Sequence, residues 1–388
     1  DSAWHTRSSC FMITDFPQPT DEALGFSRAL DKRIREEVDN AGGWIGFERY
    51  MELALYEPGL GYYSGGSTKF GPAGDFVTAP ELSGLFGSAL ADQVAPLLSQ
   101  LKKPLILELG AGTGTLAADI LESLSKTQAP PQYWILELSA DLRRRQQSRL
   151  SSYGDNVCWL DRLPDQPFEG VILANEVVDA LPVSCFIKRA NAAFPLGVRL
   201  VDGDFAWAEG DSDPRLSEAV ELLEASLGHT LPEGFRSEIR LDLSAWIQTL
   251  SAVMTRGAML IVDYGLVRRE YYHADRNQGT LLCHYKHLAH ANPFLYPGLQ
   301  DIGAWVDFSA VADAAVGADA EVSGFTTQTQ FLLESKALRQ LSMPSSGQLQ
   351  GLKTLVLPGE MGECFKLILL SRGLREAELA GRDFRDRL

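Results

Sequence analysis

The spacing of apolar and polar positions divides the N-terminal part of the chain into helices and turns. Apolar residues recur every three or four positions over 23–38, which predicts an amphipathic helix that ends at the glycines after it. A second helix is predicted over 47–56, where Pro58 stops it. Residues 1–20 show no sustained period and predict a flexible arm. The helices and the glycine-rich stretch behind them predict an N-terminal lid over 21–84.

From residue 85 onward, predicted helices alternate with strands of the buried type. A helix is predicted over 85–101, and the continuous apolar run at 105–109 is typical of a strand covered on both faces of a parallel sheet. The further predicted elements are helices at 115–124 and 140–150, and strands at 133–138, 157–160, 171–174, 258–262, 326–333 and 364–370. This rhythm predicts an α/β, Rossmann-like domain with a mostly parallel sheet over 85–388.

Residues 186–250 interrupt the alternation of strands and helices. The pattern at 197–208 predicts a β-meander, and the spacing at 215–227 predicts an amphipathic helix. We interpret 186–250 as an inserted subdomain that helps to shape the ligand cleft.

The composition limits the classes of partner. Lys and Arg number 35 against 51 Asp and Glu, so the formal charge is −16, which argues against nucleic acid and anionic membranes. No apolar run approaches the roughly 20 residues of a membrane-spanning helix. The five cysteines are scattered and form no Cys-x-x-Cys pair, which indicates reduced thiols in a cytosol-like compartment. The first residue is Asp1, so a removed targeting segment is compatible with this interpretation.

The strongest local signal is a glycine loop between a predicted strand and a predicted helix. Gly110, Gly112 and Gly114 directly follow the strand at 105–109, so the backbone can pass close to a ligand at the helix N-terminus. A dinucleotide fingerprint would require glycine at the next position, which is Thr115. The loop therefore favours a nucleoside-like ligand over a phosphate cradle.

Two acidic residues follow the next strands. Glu137 lies at the end of a strand, where a carboxylate can accept hydrogen bonds from both hydroxyls of a ribose. S-adenosyl-L-methionine (SAM) has a free ribose and no phosphate, so Glu137 and the glycine loop favour SAM over NAD. A surface glutamate beside an ordinary turn is the alternative. Asp161 is either a contact to the adenine edge or a solvated loop residue.

Several motifs occur in order along the chain. They are Gly61-Tyr62-Tyr63, Gly74-Asp75-Phe76-Val77-Thr78-Ala79-Pro80-Glu81, the glycine loop, the run 175–182, Gly279-Thr280-Leu281 with Tyr285 and His287, and the run 301–308. Together they resemble the MidA family over about residues 25–370. The resemblance implies a class I SAM-dependent methyltransferase fold. It also implies transfer to protein arginine, at least in the mitochondrial branch, which includes a complex I assembly factor.

The chain departs from the family pattern at Ala111, Thr113 and Trp305. Family members typically have Pro and Arg at the first two positions, and many have His at the third. SAM binding stays expected despite these departures, whereas the identity of the acceptor is left open.

Candidate acceptor-binding residues follow the fourth strand. Glu176 and Asp179 are placed where two carboxylates can hold the planar, permanently charged guanidinium of arginine. Capping of a following helix is the alternative. The resemblance further implies that Tyr285 and His287 face the acceptor pocket, where His287 is a candidate proton acceptor or an ordinary structural histidine.

Four further residues have two interpretations each. Asp75 is a candidate partner of the positively charged methionine part of SAM, or a turn former. Tyr63 packs over the cofactor or belongs to the core. Asp301 and Asp307 add negative charge to the acceptor pocket or cap helices. No metal site is predicted, because the histidines at 284–290 are three apart and lack a suitably placed further ligand.

The sequence thus predicts a SAM-dependent methyltransferase that modifies arginine in a protein substrate. One alternative is methyl transfer to another acceptor. A second is a SAM-binding assembly factor without transfer activity, which the substitutions in the glycine loop favour. A third is an NAD-dependent oxidoreductase, which Thr115 disfavours. The expected compartment is the bacterial cytoplasm or, if a targeting segment has been removed, the mitochondrial matrix.

Overall fold

The computed structural model describes residues 16–65, 78–126, 130–190, 192–342 and 345–388. Its helices are α1 (Asp21–Asn40), α2 (Phe47–Tyr56), α3 (Ala79–Leu82), α4 (Gly84–Leu98), α5 (Thr115–Ser125), α6 (Ala140–Arg149), α7 (Pro214–Leu227), α8 (Leu243–Val253), α9 (Arg268–Tyr271), α10 (Phe308–Gly317), α11 (Gln328–Glu334), α12 (Lys336–Arg339), α13 (Ser346–Val356) and α14 (Met361–Cys364). None of the helices in these residues combines the length and the apolar character needed to cross a membrane.

The strands belong to three sheets. They are β1 (Ile45–Gly46), β2 (Leu105–Leu109), β3 (Gln132–Leu136), β4 (Val157–Leu160), β5 (Phe168–Asn175), β6 (Ser184–Arg189), β7 (Ala192–Val201), β8 (Asp204–Glu209), β9 (Arg236–Ile239), β10 (Met254–Leu266), β11 (Leu282–Tyr285), β12 (Leu288–His290), β13 (Asp301–Gly303), β14 (Val306–Asp307), β15 (Glu321–Thr327) and β16 (Phe365–Arg372).

The central sheet has the strand order β15-β16-β10-β5-β2-β3-β4. Strands β10, β5, β2, β3 and β4 pair in parallel, whereas β16 runs antiparallel to both β10 and β15. Apolar clusters cover both faces of the sheet, and every residue of β2 is buried, as expected for a strand between two layers of helices. The predicted α/β class with a mostly parallel sheet is confirmed.

One predicted strand is wrong from its third residue onward. The strand predicted over 326–333 ends at Thr327, and α11 begins directly after it. The Thr327 hydroxyl accepts a hydrogen bond from the Gln330 amide at 3.3 Å and so caps the new helix. The apolar residues Phe331 and Leu332 are buried in the helix, and an apolar run this short does not distinguish a helix from a strand.

The N-terminal helices and the inserted segment share one core. Strand β1 pairs with β7, which lies in a second sheet with β6, β8 and β9. Leu30, Tyr50 and Val198, from α1, α2 and β7, are fully buried together. Gly197 permits this approach, because a Cβ atom there would lie 2.2 Å from the carbonyl oxygen of Ile45. Helices α1 and α2 of the predicted lid and the antiparallel sheet of the predicted insertion therefore form one packed unit, whereas α3 and α8 pack on the central sheet.

A third, small sheet joins this unit to the central sheet. It has the order β12-β11-β13. Beyond β13, the Ala304 amide donates a hydrogen bond to the carbonyl oxygen of Asp179 at 3.2 Å. This contact places the small sheet beside the loop that follows β5, at the carboxyl ends of the parallel strands.

Candidate functional site

A cavity of about 1030 Å³ opens at the carboxyl ends of the parallel strands, where ligands bind in open α/β sheets. Its acidic lining residues are Glu81, Glu108, Glu137, Glu176, Asp179, Asp242 and Asp301. Within the described parts of the chain, no lysine or arginine lines it. The field inside the cavity is therefore negative and suits a cationic ligand.

The glycine loop forms one wall of this cavity. Gly110, Gly112 and Gly114 have φ angles of +63°, +53° and +82°, in the left-handed region that residues with a Cβ atom disfavour. Gly110 and Gly112 line the cavity, whereas Gly114 precedes the first turn of α5. The Gln146 side-chain amide donates to the carbonyl oxygen of Gly112 and to a carboxylate oxygen of Glu137, both at 2.9 Å. The loop and the carboxylate are therefore held together.

Glu137 is fixed in place just beyond β3. Its side chain is nearly buried, and its Oε1 atom accepts a hydrogen bond from the Ser139 amide at 2.8 Å. Each carboxylate oxygen has further lone pairs that can accept hydroxyl donors. The adjacent Leu138 side chain lines the cavity and is 75 % exposed, so it offers an apolar surface for a planar base. This set of groups fits the ribose and adenine of SAM.

Helix α3 is tied to the glycine loop through hydroxyl groups. The Glu81 carboxylate accepts hydrogen bonds from the hydroxyls of Thr113 and Thr115, the second at 2.8 Å. Thr113 is one of the positions at which the chain departs from the family pattern, and its contact with Glu81 was not foreseen from the sequence. Asp75, the predicted partner of the methionine part of SAM, lies outside the described residues.

Glu176 occupies a strained position at the end of β5. Its φ angle is +53°, an uncommon conformation for a residue other than glycine, and its amide donates to the carbonyl oxygen of Val262 at 2.9 Å. The Asn175 amide group donates to Glu176 Oε1 at 3.1 Å. Burial, followed by the charge of Asp179, raises the pKa of Glu176 to about 8.

Asp179 is buried in the wall of the cavity, and only one of its carboxylate oxygens has a side-chain donor among the described residues. The Tyr264 hydroxyl donates to Oδ2 at 2.6 Å, whereas Oδ1 is buried and accepts no hydrogen bond from any described residue. Burial raises the pKa of Asp179, and the Tyr264 hydrogen bond opposes this shift. The chain continues from this loop into β6 without an intervening helix, so neither Glu176 nor Asp179 caps a helix here.

Aromatic residues and a histidine complete this end of the cavity. The Tyr63 hydroxyl donates to Asp301 Oδ1 at 2.9 Å, and the Tyr63 ring stacks on Tyr56 with 5.6 Å between centroids. His284 pairs with Asp301 across β11 and β13 and lines the cavity. Burial lowers the pKa of His284 to about 4, so its imidazole is neutral near pH 7. Tyr63 and Asp301 were candidates from the sequence, whereas His284 was considered only as a metal ligand.

The structure does not bring Asp161 and Asp307 to the cavity wall formed by the described residues. The Asp161 side chain is 85 % exposed and forms an ion pair with Arg143 at 2.6 Å, which corresponds to the solvated-loop alternative. Asp307 caps α10 by accepting a hydrogen bond from the Ser309 amide at 3.0 Å. A direct adenine contact by Asp161 stays a prediction that this conformation does not support.

The structure does not bring Tyr285 and His287 to the wall of this cavity as the described residues form it. Side chains alternate between the two faces of β11, so His284 faces the cavity while Tyr285 faces the core. His287 lies in the exposed two-residue turn before β12, with a φ angle of +63°. The alternation of side chains along β11 is the signal that could have identified His284.

Comparisons with known proteins show which proteins this chain resembles. A family model for S-adenosyl-L-methionine-dependent methyltransferases matches residues 89–326, more than half of the chain. The crystal structure of a Burkholderia thailandensis protein bound to S-adenosyl-homocysteine is similar, with a TM-score of 0.90, 41 % identity, and coverage of 96 % of this chain and 100 % of that chain.

Curated relatives cover nearly the whole chain as well. Protein arginine methyltransferase NDUFAF7, mitochondrial, of Mus musculus is 30 % identical over 94 % of this chain and 88 % of its own length. Its Drosophila melanogaster homolog is 28 % identical over 94 % of this chain and 89 % of its own length.

Proposed function

Because the chain belongs to the MidA family of SAM-dependent methyltransferases, we propose that its acceptor is the guanidinium group of an arginine in a protein substrate. The observation that carries this proposal is the pair of carboxylates of Glu176 and Asp179, which line a cavity that no described lysine or arginine lines. The names of the relatives NDUFAF7 support the same acceptor.

Three groups of the chain are proposed to hold SAM. The carboxylate of Glu137 accepts hydrogen bonds from the ribose hydroxyls, and the backbone of the glycine loop lies along the ligand. The Glu81 carboxylate, which is tied to the loop by two threonines, faces the ammonium group of the methionine part. When bound, SAM supplies a methyl group on a positively charged sulfonium centre.

The acceptor cation is proposed to lie between the carboxylates of Glu176 and Asp179. A planar guanidinium can donate two hydrogen bonds at once to such acceptors, which fixes its orientation as well as its position. Positioning of this kind can contribute roughly 7–11 kcal/mol to the lowering of a barrier in favourable cases. The rings of Tyr63 and Trp305 also line the cavity and restrict the access of water.

The reaction also requires that one proton leave the acceptor. A guanidinium that gains a methyl group and keeps a single positive charge must release one proton. Glu176, once ionised, and the neutral imidazole of His284 are cavity groups that can accept it. The proposed compartment is a reducing one, the bacterial cytoplasm or the mitochondrial matrix, because all four described cysteines are free.

The proposal is tested by transfer of labelled methyl from SAM to the proteins of a cell lysate, followed by hydrolysis to amino acids. We expect label in methylarginine with the unchanged protein. Glu137→Gln should lose most of this label, since each charged hydrogen bond to ribose contributes about 1.5–3 kcal/mol. Glu122→Gln, an exposed glutamate on α5, is the matched control and should label like the unchanged protein.

Each other result has a defined meaning. Label in methyllysine or in a small molecule would exclude arginine as the acceptor. SAM binding without transfer to any protein would favour an assembly factor that lacks transfer activity.

A further inference from the structure

We propose that Tyr264 is a positioning residue that fixes the orientation and the charge of the Asp179 carboxylate for the acceptor cation; this role rests on the proposed function. Tyr264 lies near the end of β10, and its hydroxyl donates to Asp179 Oδ2 at 2.6 Å. Both side chains line the cavity. Because Oδ2 accepts the tyrosine hydroxyl, this hydrogen bond fixes the orientation of the Asp179 carboxylate at the cavity wall.

The backbone of Asp179 is fixed independently of Tyr264. The Asp263 carboxylate accepts hydrogen bonds from the amides of Val178 and Asp179, at 3.0 and 3.1 Å. The Arg240 guanidinium donates to the carbonyl oxygen of Asp179 at 3.0 Å. These contacts hold the main chain on both sides of Asp179. The orientation of its side chain is then set by the hydrogen bond from the Tyr264 hydroxyl.

The structure leaves the Tyr264 hydroxyl little freedom to move. A Cβ atom at Gly303 would lie 2.4 Å from this hydroxyl and 3.4 Å from Asp179 Oδ2, so only glycine fits at this position without displacing them. The ring of Tyr264 has edge contacts with Phe365 and Trp305, at centroid distances of 5.7 and 6.3 Å. The hydroxyl is therefore held on the carboxylate by contacts on its other sides.

The hydrogen bond also affects the charge of Asp179. A donor to a carboxylate favours the ionised form, so the Tyr264 hydroxyl lowers a pKa that burial raises. The charged and titratable groups that face Asp179 from the surrounding elements are Glu176 on its own loop, Asp263 and Tyr264 on β10, Arg240 after β9, Asp301 on β13, and Tyr56 and Tyr63 from the N-terminal unit.

The test is the pH profile of methyl transfer for Tyr264→Phe. This variant keeps the ring and removes the hydroxyl. The acid limb of kcat/KM for the acceptor reports the ionisation of Glu176 and Asp179 together, so we expect it to move to higher pH by about one to two units, with at least about tenfold lower kcat/KM at pH 7. The Kd for SAM should stay within twofold. Tyr50→Phe, which removes a buried hydroxyl bonded to the Pro293 carbonyl outside the cavity, should leave the acid limb in place.

A second measurement does not depend on activity. With ¹³C-labelled aspartate, the carboxyl signal that disappears in Asp179→Asn identifies Asp179, and its titration midpoint should be higher in Tyr264→Phe than in the unchanged protein. An unchanged midpoint, or an equal loss of SAM affinity and transfer, would overturn the role of Tyr264. A shifted midpoint in a protein that methylates no arginine would refute the proposed function and keep the pairing of the two residues.

Discussion

At the scale of single residues, the site is built from carboxylates in unfavourable surroundings. Glu176 combines a left-handed backbone with a pKa raised by burial and by Asp179, and Asp179 has an oxygen without a hydrogen bond from the described residues. Each feature costs folding free energy in the absence of a cation. A bound cation would relieve the cost of ionising these carboxylates, because it supplies donors and opposite charge, whereas the backbone conformation of Glu176 would stay unchanged.

The cost at Glu176 predicts a dependence of stability on pH. A carboxyl group whose pKa is about 8 in the folded protein and near 4.5 in the unfolded chain destabilises the fold progressively as pH rises from 4.5 to 8. Glu176→Gln removes this penalty, so we expect a free energy of unfolding higher by roughly 1–2 kcal/mol at pH 9 and almost no difference at pH 4, since the side chain is only partly shielded from solvent. Urea unfolding at both pH values measures this.

The same variant should lose function. The acceptor cation requires an ionised partner, so KM for the acceptor should fall from pH 6.5 to pH 9 in the unchanged protein and vary less in Glu176→Gln. If Glu176→Gln is no more stable than the unchanged protein at pH 9 and shows the same dependence of KM on pH, an ionised role for Glu176 is refuted.

Asp179 provides a prediction that separates the two ligands. Asp179→Asn keeps the shape of the side chain and removes its charge, so we expect transfer to fall by about 10- to 100-fold, as for the loss of one charged hydrogen bond. SAM binding, measured by calorimetry, should change less than twofold, because Glu137 and the glycine loop are untouched. Equal activity would remove Asp179 from the acceptor site.

At the scale of elements, one arginine connects the inserted subdomain to the acceptor site. Arg240 follows β9, and its guanidinium donates to the carbonyl oxygens of Asp179, Ala304 and Trp305. The loop after β5 and the segment after β13 are thereby held by a residue of the insertion. The insertion thus supports the acceptor wall through hydrogen bonds to main-chain atoms.

Replacement of this arginine should therefore weaken the use of the acceptor more than the binding of SAM. The ammonium group of a lysine cannot reach the three carbonyl groups that the planar guanidinium of Arg240 contacts. Arg240→Lys should therefore lower the free energy of unfolding by about 2 kcal/mol and reduce kcat/KM for the acceptor at least tenfold. Arg256→Lys is the matched control, since Arg256 also bonds main-chain carbonyls, those of Gln100 and Gly373, outside the cavity lining. Equal losses of transfer in both variants would indicate a general effect on folding.

At the scale of the whole molecule, a composite unit that is built from two separate parts of the sequence packs against the central sheet. The N-terminal helices pack on the antiparallel sheet of the insertion, and Tyr56 donates at 2.8 Å to the carbonyl oxygen of Ala180, 124 positions further along the sequence. The cavity is therefore closed by segments from distant parts of the chain. Its shape depends on how this unit is docked.

A substitution at the contact between β1 and β7 should loosen the packing of the composite unit. Gly197→Ala places a Cβ atom 2.2 Å from the Ile45 carbonyl and 2.5 Å from the Trp44 ring, so we expect a loss of about 1–3 kcal/mol in stability and faster hydrogen exchange over 45–56. Gly25→Ala, at a helical position with no atom within 4 Å of the added carbon, is the control and should be neutral or slightly stabilising. Unchanged exchange in Gly197→Ala would contradict the docking role of this glycine.

The sequence by itself determined the features that are local along the chain. Buried strands, the glycine loop and Glu137 are encoded within a few dozen residues, because strand periodicity and left-handed glycines depend on neighbours in sequence. The same holds for Glu176 and Asp179, which follow directly from the end of β5.

Only the tertiary structure decided which side chains meet across the cavity. His284 rather than His287 lines it because β11 alternates its faces, and Asp307 points to its own helix because the first turn of α10 needs a cap. The contacts Tyr264 to Asp179 and Arg240 to Asp179 join residues 85 and 61 positions apart. Such pairings depend on the docking of whole elements, which the periodicity of a single segment does not contain.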